Sequence, residues 1–236
     1  MDGFTWNLLL AAAGIAFTHT LLGPDHYIPF LMLARANRWG RRRTLIITAL
    51  CGVGHVASSV LLGVVGVAAG VAATRLGMIE SVRGDWAAWA LIAFGIAYGA
   101  WGVRHAIRRK RGIEPHEHEG HAHLHFGGGH PHHHPHEAES SRPNVTFWTL
   151  FAIFVLGPCE PLIPLLILPA SRGRWDVMWG TAVLFGVITV ATMVILTLAG
   201  AAGLERISTA RVERWSHAMA GAVIAASGLA VIGLGL

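Results

Sequence analysis

Apolar residues in this 236-residue chain gather into six stretches, about 5–34, 44–74, 86–107, 145–170, 177–203 and 215–236. The charged residues fall mostly in the gaps between them. Each stretch reaches the roughly 20 residues that a helix needs to cross a hydrocarbon layer about 30 Å thick. The pattern predicts six transmembrane helices, and so an all-α integral membrane protein with the lipid bilayer as its first partner. Composition agrees: 53% of residues are apolar, only 13% are charged and the mean hydropathy is +0.53. A soluble domain carries about a quarter charged residues. A secreted disulfide scaffold, a nucleic-acid-binding domain and a disordered chain are thereby excluded. The start, Met1-Asp2-Gly3-Phe4, lacks the basic segment of a signal peptide and reads as a retained first helix.

A net charge of +5 would suggest nucleic acid in a soluble protein, but here the arginines flank the spans. The gaps after spans one, three and five hold Arg35, Arg38, Arg41, Arg42, Arg43, Arg104, Arg108, Arg109, Lys110, Arg111, Arg142, Arg206, Arg211 and Arg214. The opposite side has only Arg75, Arg83, Arg172 and Arg174. Basic loops stay in the cytoplasm. The expectation is therefore a cell (inner) membrane protein with both termini outside.

The two halves repeat. Leu22-Gly23-Pro24-Asp25-His26 answers to Leu156-Gly157-Pro158-Cys159-Glu160 at an offset of 134, and the segment from Gly52 to Ser58 answers to Gly186 to Thr192 at the same offset. Trp86 and Gly99 match Trp215 and Gly228 at 129. Three spans per half force the second half to run opposite to the first. That is a 3+3 inverted repeat, an architecture of many secondary transporters. The chain divides into a first repeat over 1–112, a connecting loop over 113–143 and a second repeat over 144–236.

The repeat also marks a site. Pro24 cannot bond back to the Thr20 carbonyl, nor Pro158 to that of Phe154, so Gly23-Pro24 and Gly157-Pro158 break helices 1 and 4. Freed carbonyls at membrane depth are tolerated only where they are buried or line a cavity. The ionisable groups deep in the spans cluster near these breaks: His19, Asp25, His26, His55 and Glu160, with the thiol of Cys159. Such residues cost several kcal/mol at mid-membrane and face a cavity or partner. His19 and His26 share a helix face but stand about 10 Å apart on a straight helix. They can hold one ion only if the break folds the chain back. Imidazole and carboxylate suit Ni²⁺, Co²⁺ or Zn²⁺ better than Mg²⁺ or Ca²⁺. Each residue also has a plainer reading: His55 as a bonded core histidine, Cys159 as packing or a redox thiol, Asp25 and Glu160 as caps.

The loop between spans three and four carries ten more histidines, His116, His118, His121, His123, His125, His130, His132, His133, His134 and His136, among five glutamates. With almost no apolar content it is expected to lack order and to capture divalent metal weakly on the cytoplasmic side.

The run His19-Thr20-Leu21-Leu22-Gly23-Pro24-Asp25-His26 resembles the His…Asp-His signature of the nickel/cobalt transporter families, including NicO exporters and UreH-type relatives. Gly54-His55 is similar to their second motif, and the NicO exporters also carry a His-rich loop between helices three and four. The nickel permease signature has four residues between His and Asp where this chain has five, which favours a NicO- or UreH-like relative. The resemblance implies a secondary transporter of Ni²⁺ or Co²⁺, working outward, with the ion as substrate, no tightly bound cofactor and no enzymatic activity. A homo-oligomer stays open. Two other classes stay open as well: a thiol electron carrier, since Gly157-Pro158-Cys159 resembles the helices of CcdA/DsbD, and a metal-sensing or urease-type accessory membrane protein.

Overall fold

The computed structural model describes residues 2–110, 116–118, 121–123, 143–205 and 210–234. Eight helices make up nearly all of it: α1 (Gly3–Leu22), α2 (Ile28–Ala36), α3 (Arg41–Ala68), α4 (Ala73–Lys110), α5 (Pro143–Leu156), α6 (Leu162–Ala170), α7 (Trp175–Glu205) and α8 (Ala210–Leu234). Two three-residue strands, β1 (His116–His118) and β2 (His121–His123), pair antiparallel in the His-rich loop. His125, His130, His132, His133, His134 and His136 lie outside the described residues.

Five helices are long and apolar enough to cross a membrane, and Thr146–Leu156 forms a shorter apolar one. Leu10, Leu61, Val183 and Ile195 are all more than 60% exposed, so the outer surface is itself apolar. A surface of that kind belongs in lipid, and the protein is an all-α, multi-pass membrane protein. The first and fourth apolar stretches each form two helices, α1–α2 and α5–α6, separated at the Gly-Pro breaks. The third span needs correction. It begins at Ala73 rather than near residue 86, which brings Glu80 and Arg83 into α4 instead of a loop. Leu76, fully buried against Gly66 of α3, explains the early start.

Asp2 caps α1 by accepting from the Thr5 amide at 3.0 Å, and Arg174, before α7, bonds the same carboxylate at 2.9 Å. The Thr5 hydroxyl and amide, followed by Arg174, hold the Asp2 carboxyl well below the usual carboxylate range. Its contribution is therefore complete above that range and is lost only as pH falls through the depressed value.

Each half runs broken helix, long helix, long helix, and contacts between the halves obey the same symmetry. A Cβ on Gly52 of α3 would lie 3.2 Å from Val190 of α7, and one on Gly186 of α7 would lie 3.2 Å from Val56 of α3. Adding 134 to one member and subtracting it from the other converts each contact into its mate. The contacts run in opposite senses, so α3 and α7 are antiparallel. The same holds for α4 and α8, where Gly95, Gly99 and Gly102 approach Ala225, Gly221 and Ala218 in descending order. Counterparts that pack antiparallel are what an inverted repeat requires.

Small residues let the α4 and α8 backbones touch. A Cβ at Gly221 would strike the backbone of Gly99 and come within 2.5 Å of the Gly95 carbonyl. Gly221→Val should therefore destabilise the protein by at least about 1–3 kcal/mol. Gly14→Ala, with nothing within 4 Å of the new methyl, should be neutral or mildly stabilising. Thermal unfolding in detergent checks both, and equal melting temperatures for the two variants would contradict the packing.

Candidate metal centre

The first break is built by proline chemistry. The Gly23 amide still donates to the His19 carbonyl at 2.9 Å, and Pro24 then ends the ladder because it has no N–H. The next residues turn tightly, His26 N–H to the Gly23 carbonyl at 3.1 Å and Ile28 N–H to that of Pro24 at 3.1 Å. The helix is interrupted without α1 and α2 packing on each other, yet the His19 and His26 rings, which a straight helix would hold about 10 Å apart, stand 4.8 Å apart. Only glycine fits at the corner. A Cβ on Gly23 would collide with His26 Nδ1 and sit 3.0 Å from Asp25 Oδ1.

The second break completes the site from the other half. Pro158 has no N–H for the Phe154 carbonyl, which accepts instead from the Gly157 amide at 3.1 Å and pairs with His55 Nδ1 of α3 at 3.3 Å. Gly157 makes room for the ring, since a Cβ there would lie 3.0 Å from His55 Nδ1. The His55 ring centre is 5.1 Å from that of His26.

These bonds fix which nitrogen faces inward. A carbonyl only accepts, so His55 Nδ1 carries the proton and its Nε2 is a bare lone pair. His26 Nδ1 pairs with the Asp25 carboxylate at 3.0 Å, which exposes Nε2 in the same way. This is the arrangement in which a carboxylate or carbonyl orients a metal-binding imidazole from behind. The Nε2 atoms of His19, His26 and His55 are all buried, and none has a hydrogen-bond partner. A buried polar atom left unsatisfied costs about 1–3 kcal/mol. Three of them converging on one spot call for a shared ligand.

One ring nitrogen from each of the three lies within 4.8 Å of the others. Nitrogens about 2.1 Å from a tetrahedral ion stand about 3.4 Å apart, so a modest contraction would close the trio on a divalent cation. The trio opens into a cavity of about 380 Å³ whose polar lining includes Asp25 and Glu160.

The residues expected at the site thus separate. His19, His26 and His55 come together, and Asp25 stands behind His26. Glu160 lies exposed at the cavity wall, outside the trio. Cys159 departs from the expected ligand set. Its fully buried side chain belongs to an apolar cluster with Leu162, Leu166 and Phe185, and its amide donates to Ser59 Oγ at 3.1 Å and Glu80 Oε2 at 3.3 Å. Cys51 lies in a separate apolar cluster, and both thiols are free.

A further set of polar residues escaped the sequence reading. Glu80, with no exposed side-chain surface, pairs with Arg83 at 2.7 Å. Arg83 Nη2 donates to Ser58 Oγ at 2.8 Å, to the Val155 carbonyl at 2.8 Å and to the Gly157 carbonyl at 3.4 Å. Their signal was the i,i+3 spacing of Glu80 and Arg83 among apolar neighbours, Met78, Ile79 and Val82.

Comparison with family models, with curated proteins and with solved structures finds no match. The site is therefore read from its own geometry.

Replacing any one of the three histidines by alanine should weaken Co²⁺ binding to the purified protein by at least about tenfold, and Gly23→Ala, which displaces His26 and Asp25, should do nearly the same. Titration followed by the visible absorption of Co²⁺ checks this. Unchanged affinity in all four variants would show that the trio is not the binding site.

Proposed function

We propose that the protein is a secondary transporter of divalent transition-metal ions, Ni²⁺ or Co²⁺ with Zn²⁺ as a further candidate, and that the ion binds mid-membrane on His19, His26 and His55. The observation that carries this reading is the three buried, unpartnered Nε2 atoms at a helix break. Neutral imidazoles favour borderline metals over Mg²⁺ or Ca²⁺, which prefer oxygen shells. Asp25 behind His26 supplies negative charge against the incoming cation, and Glu160 on the cavity wall would attract it. An anionic substrate would meet both carboxylates.

The ligands all belong to the first repeat, while the second repeat supplies the Phe154 carbonyl that orients His55 and the Pro158–Glu160 wall of the cavity. Movement of the second repeat against the first would therefore open and close the cavity around the trio, which is how inverted repeats achieve alternating access. The chain has no GxxxxGK[ST] motif, so the reading takes its energy from an ion gradient or a separate subunit. Arginine placement supports an inner-membrane protein with both termini outside and the His-rich loop in the cytoplasm. Capture of metal on that side supports efflux. The likeness of His19–His26 and Gly54-His55 to the nickel/cobalt transporter signatures supports the same substrate class.

In proteoliposomes the protein should move Ni²⁺ or Co²⁺ in preference to Mn²⁺, with at least tenfold less flux in His26→Ala. Cys159→Ser should retain flux, whereas a thiol electron carrier would lose its activity. Correctly inserted protein that passes none of Ni²⁺, Co²⁺, Zn²⁺ and Mn²⁺ would overturn the transport reading. Deletion of residues 114–139 should leave the maximal rate intact and lower transport at scarce metal. Complete loss would make the loop part of the transport path itself.

A further inference from the structure

The Glu80–Arg83 pair does not line the cavity, yet it binds three backbone groups of the second break. Arg83 Nη2 reaches the Val155 and Gly157 carbonyls at the end of α5. Glu80 Oε2 accepts from the Cys159 amide on the approach to α6 and from Ser59 Oγ at 3.3 Å. Ser58 Oγ, which accepts from Arg83, in turn donates to the His55 carbonyl at 2.8 Å. The pair therefore holds both sides of the break and the turn of α3 that carries His55. Val155, held by Arg83, directly follows Phe154, whose carbonyl turns His55 Nε2 inward. Gly84, the next residue on α4, packs against the Pro158 ring, where a Cβ would come within 2.8 Å.

We propose that Glu80 and Arg83 are positioning residues for the metal centre: the ion pair fixes the second helix break so that the Phe154 carbonyl aims His55 at the ion bound by His19 and His26. This rests on the metal-binding reading above. It also explains the placement of a charged pair at membrane depth. Carbonyls released by a proline need donors, water is absent, and a guanidinium offers several N–H groups in a fixed fork. A guanidinium there needs a counter-ion, which Glu80 provides while its second oxygen takes the Cys159 amide.

The test uses the full-length protein in detergent or nanodiscs, with Co²⁺ as the probe and its ligand-field absorption as the readout. Arg83→Gln should lower Co²⁺ affinity by about tenfold or more, the range found for residues that orient metal ligands. Its Co²⁺ spectrum should shift toward that of His55→Ala. In a His55→Ala background Arg83→Gln should add little, because residues acting through one group are not additive. Arg83→Lys, which keeps the charge but not the fork, should fall between wild type and Arg83→Gln, and serves if Arg83→Gln does not fold. The double variant Glu80→Gln/Arg83→Gln removes both charges and should still show the His55-like spectrum.

A wild-type spectrum in Arg83→Gln or Arg83→Lys, or losses that simply add to those of His55→Ala, would overturn the positioning role and leave the metal site standing. A wild-type protein that binds no Co²⁺ would instead overturn the metal site, and this proposal with it.

Discussion

A lipid interior offers no hydrogen bonds, so a backbone group released there must find its partner within the protein. Two prolines at matching positions release such groups, and much of the site follows from how they are recovered. The Phe154 carbonyl is taken by an imidazole, and the neighbouring carbonyls of Val155 and Gly157 by a guanidinium. At the first break the chain instead makes a tight local turn, bonding through Gly23 and Pro24, and sets His26 against His19. The break therefore does more than interrupt a helix. It converts two histidines seven residues apart into neighbours and gives a third one its orientation.

Glycine is the permissive element in each case. Gly23 and Gly157 stand at equivalent places in the two repeats, and each accommodates a histidine ring against the backbone. The same residue type serves a different end along α4 and α8, where it lets backbones meet directly. Sequence alone identifies such glycines as breaks or packing stripes. Only the folded chain shows which side chain needs the vacancy.

Much of the architecture was legible in advance because hydrocarbon imposes a length and an apolar composition on whatever crosses it. The multi-pass helical architecture, the matched halves and the two breaks could be read from spacing. The start of α4 could not, because Arg75, Glu80, Arg83 and Asp85 look like loop charges when hydropathy is averaged over a window. Those of Glu80 and Arg83 cancel inside the protein, a fact that depends on which helix lies opposite. At the site, the approach of His19 to His26 depends on how the chain turns at the break, and a Gly-Pro pair permits a break without dictating its geometry. Cys159 was the reverse case. Symmetry placed it opposite Asp25, but the packing around it is leucine and phenylalanine, and the polar work at that position is done by its amide.

The α3–α7 and α4–α8 contacts are self-complementary in the sense of a twofold dimer, each half meeting the other through the same patch. The frame is in effect a pair of like subunits within one chain. The imidazoles do not share that symmetry, since all three belong to one half and the matching positions hold Ile153, Glu160 and Thr189. A symmetric frame thus encloses an asymmetric set of side chains, and the single cavity is walled by imidazoles from one half and by Pro158 and Glu160 from the other.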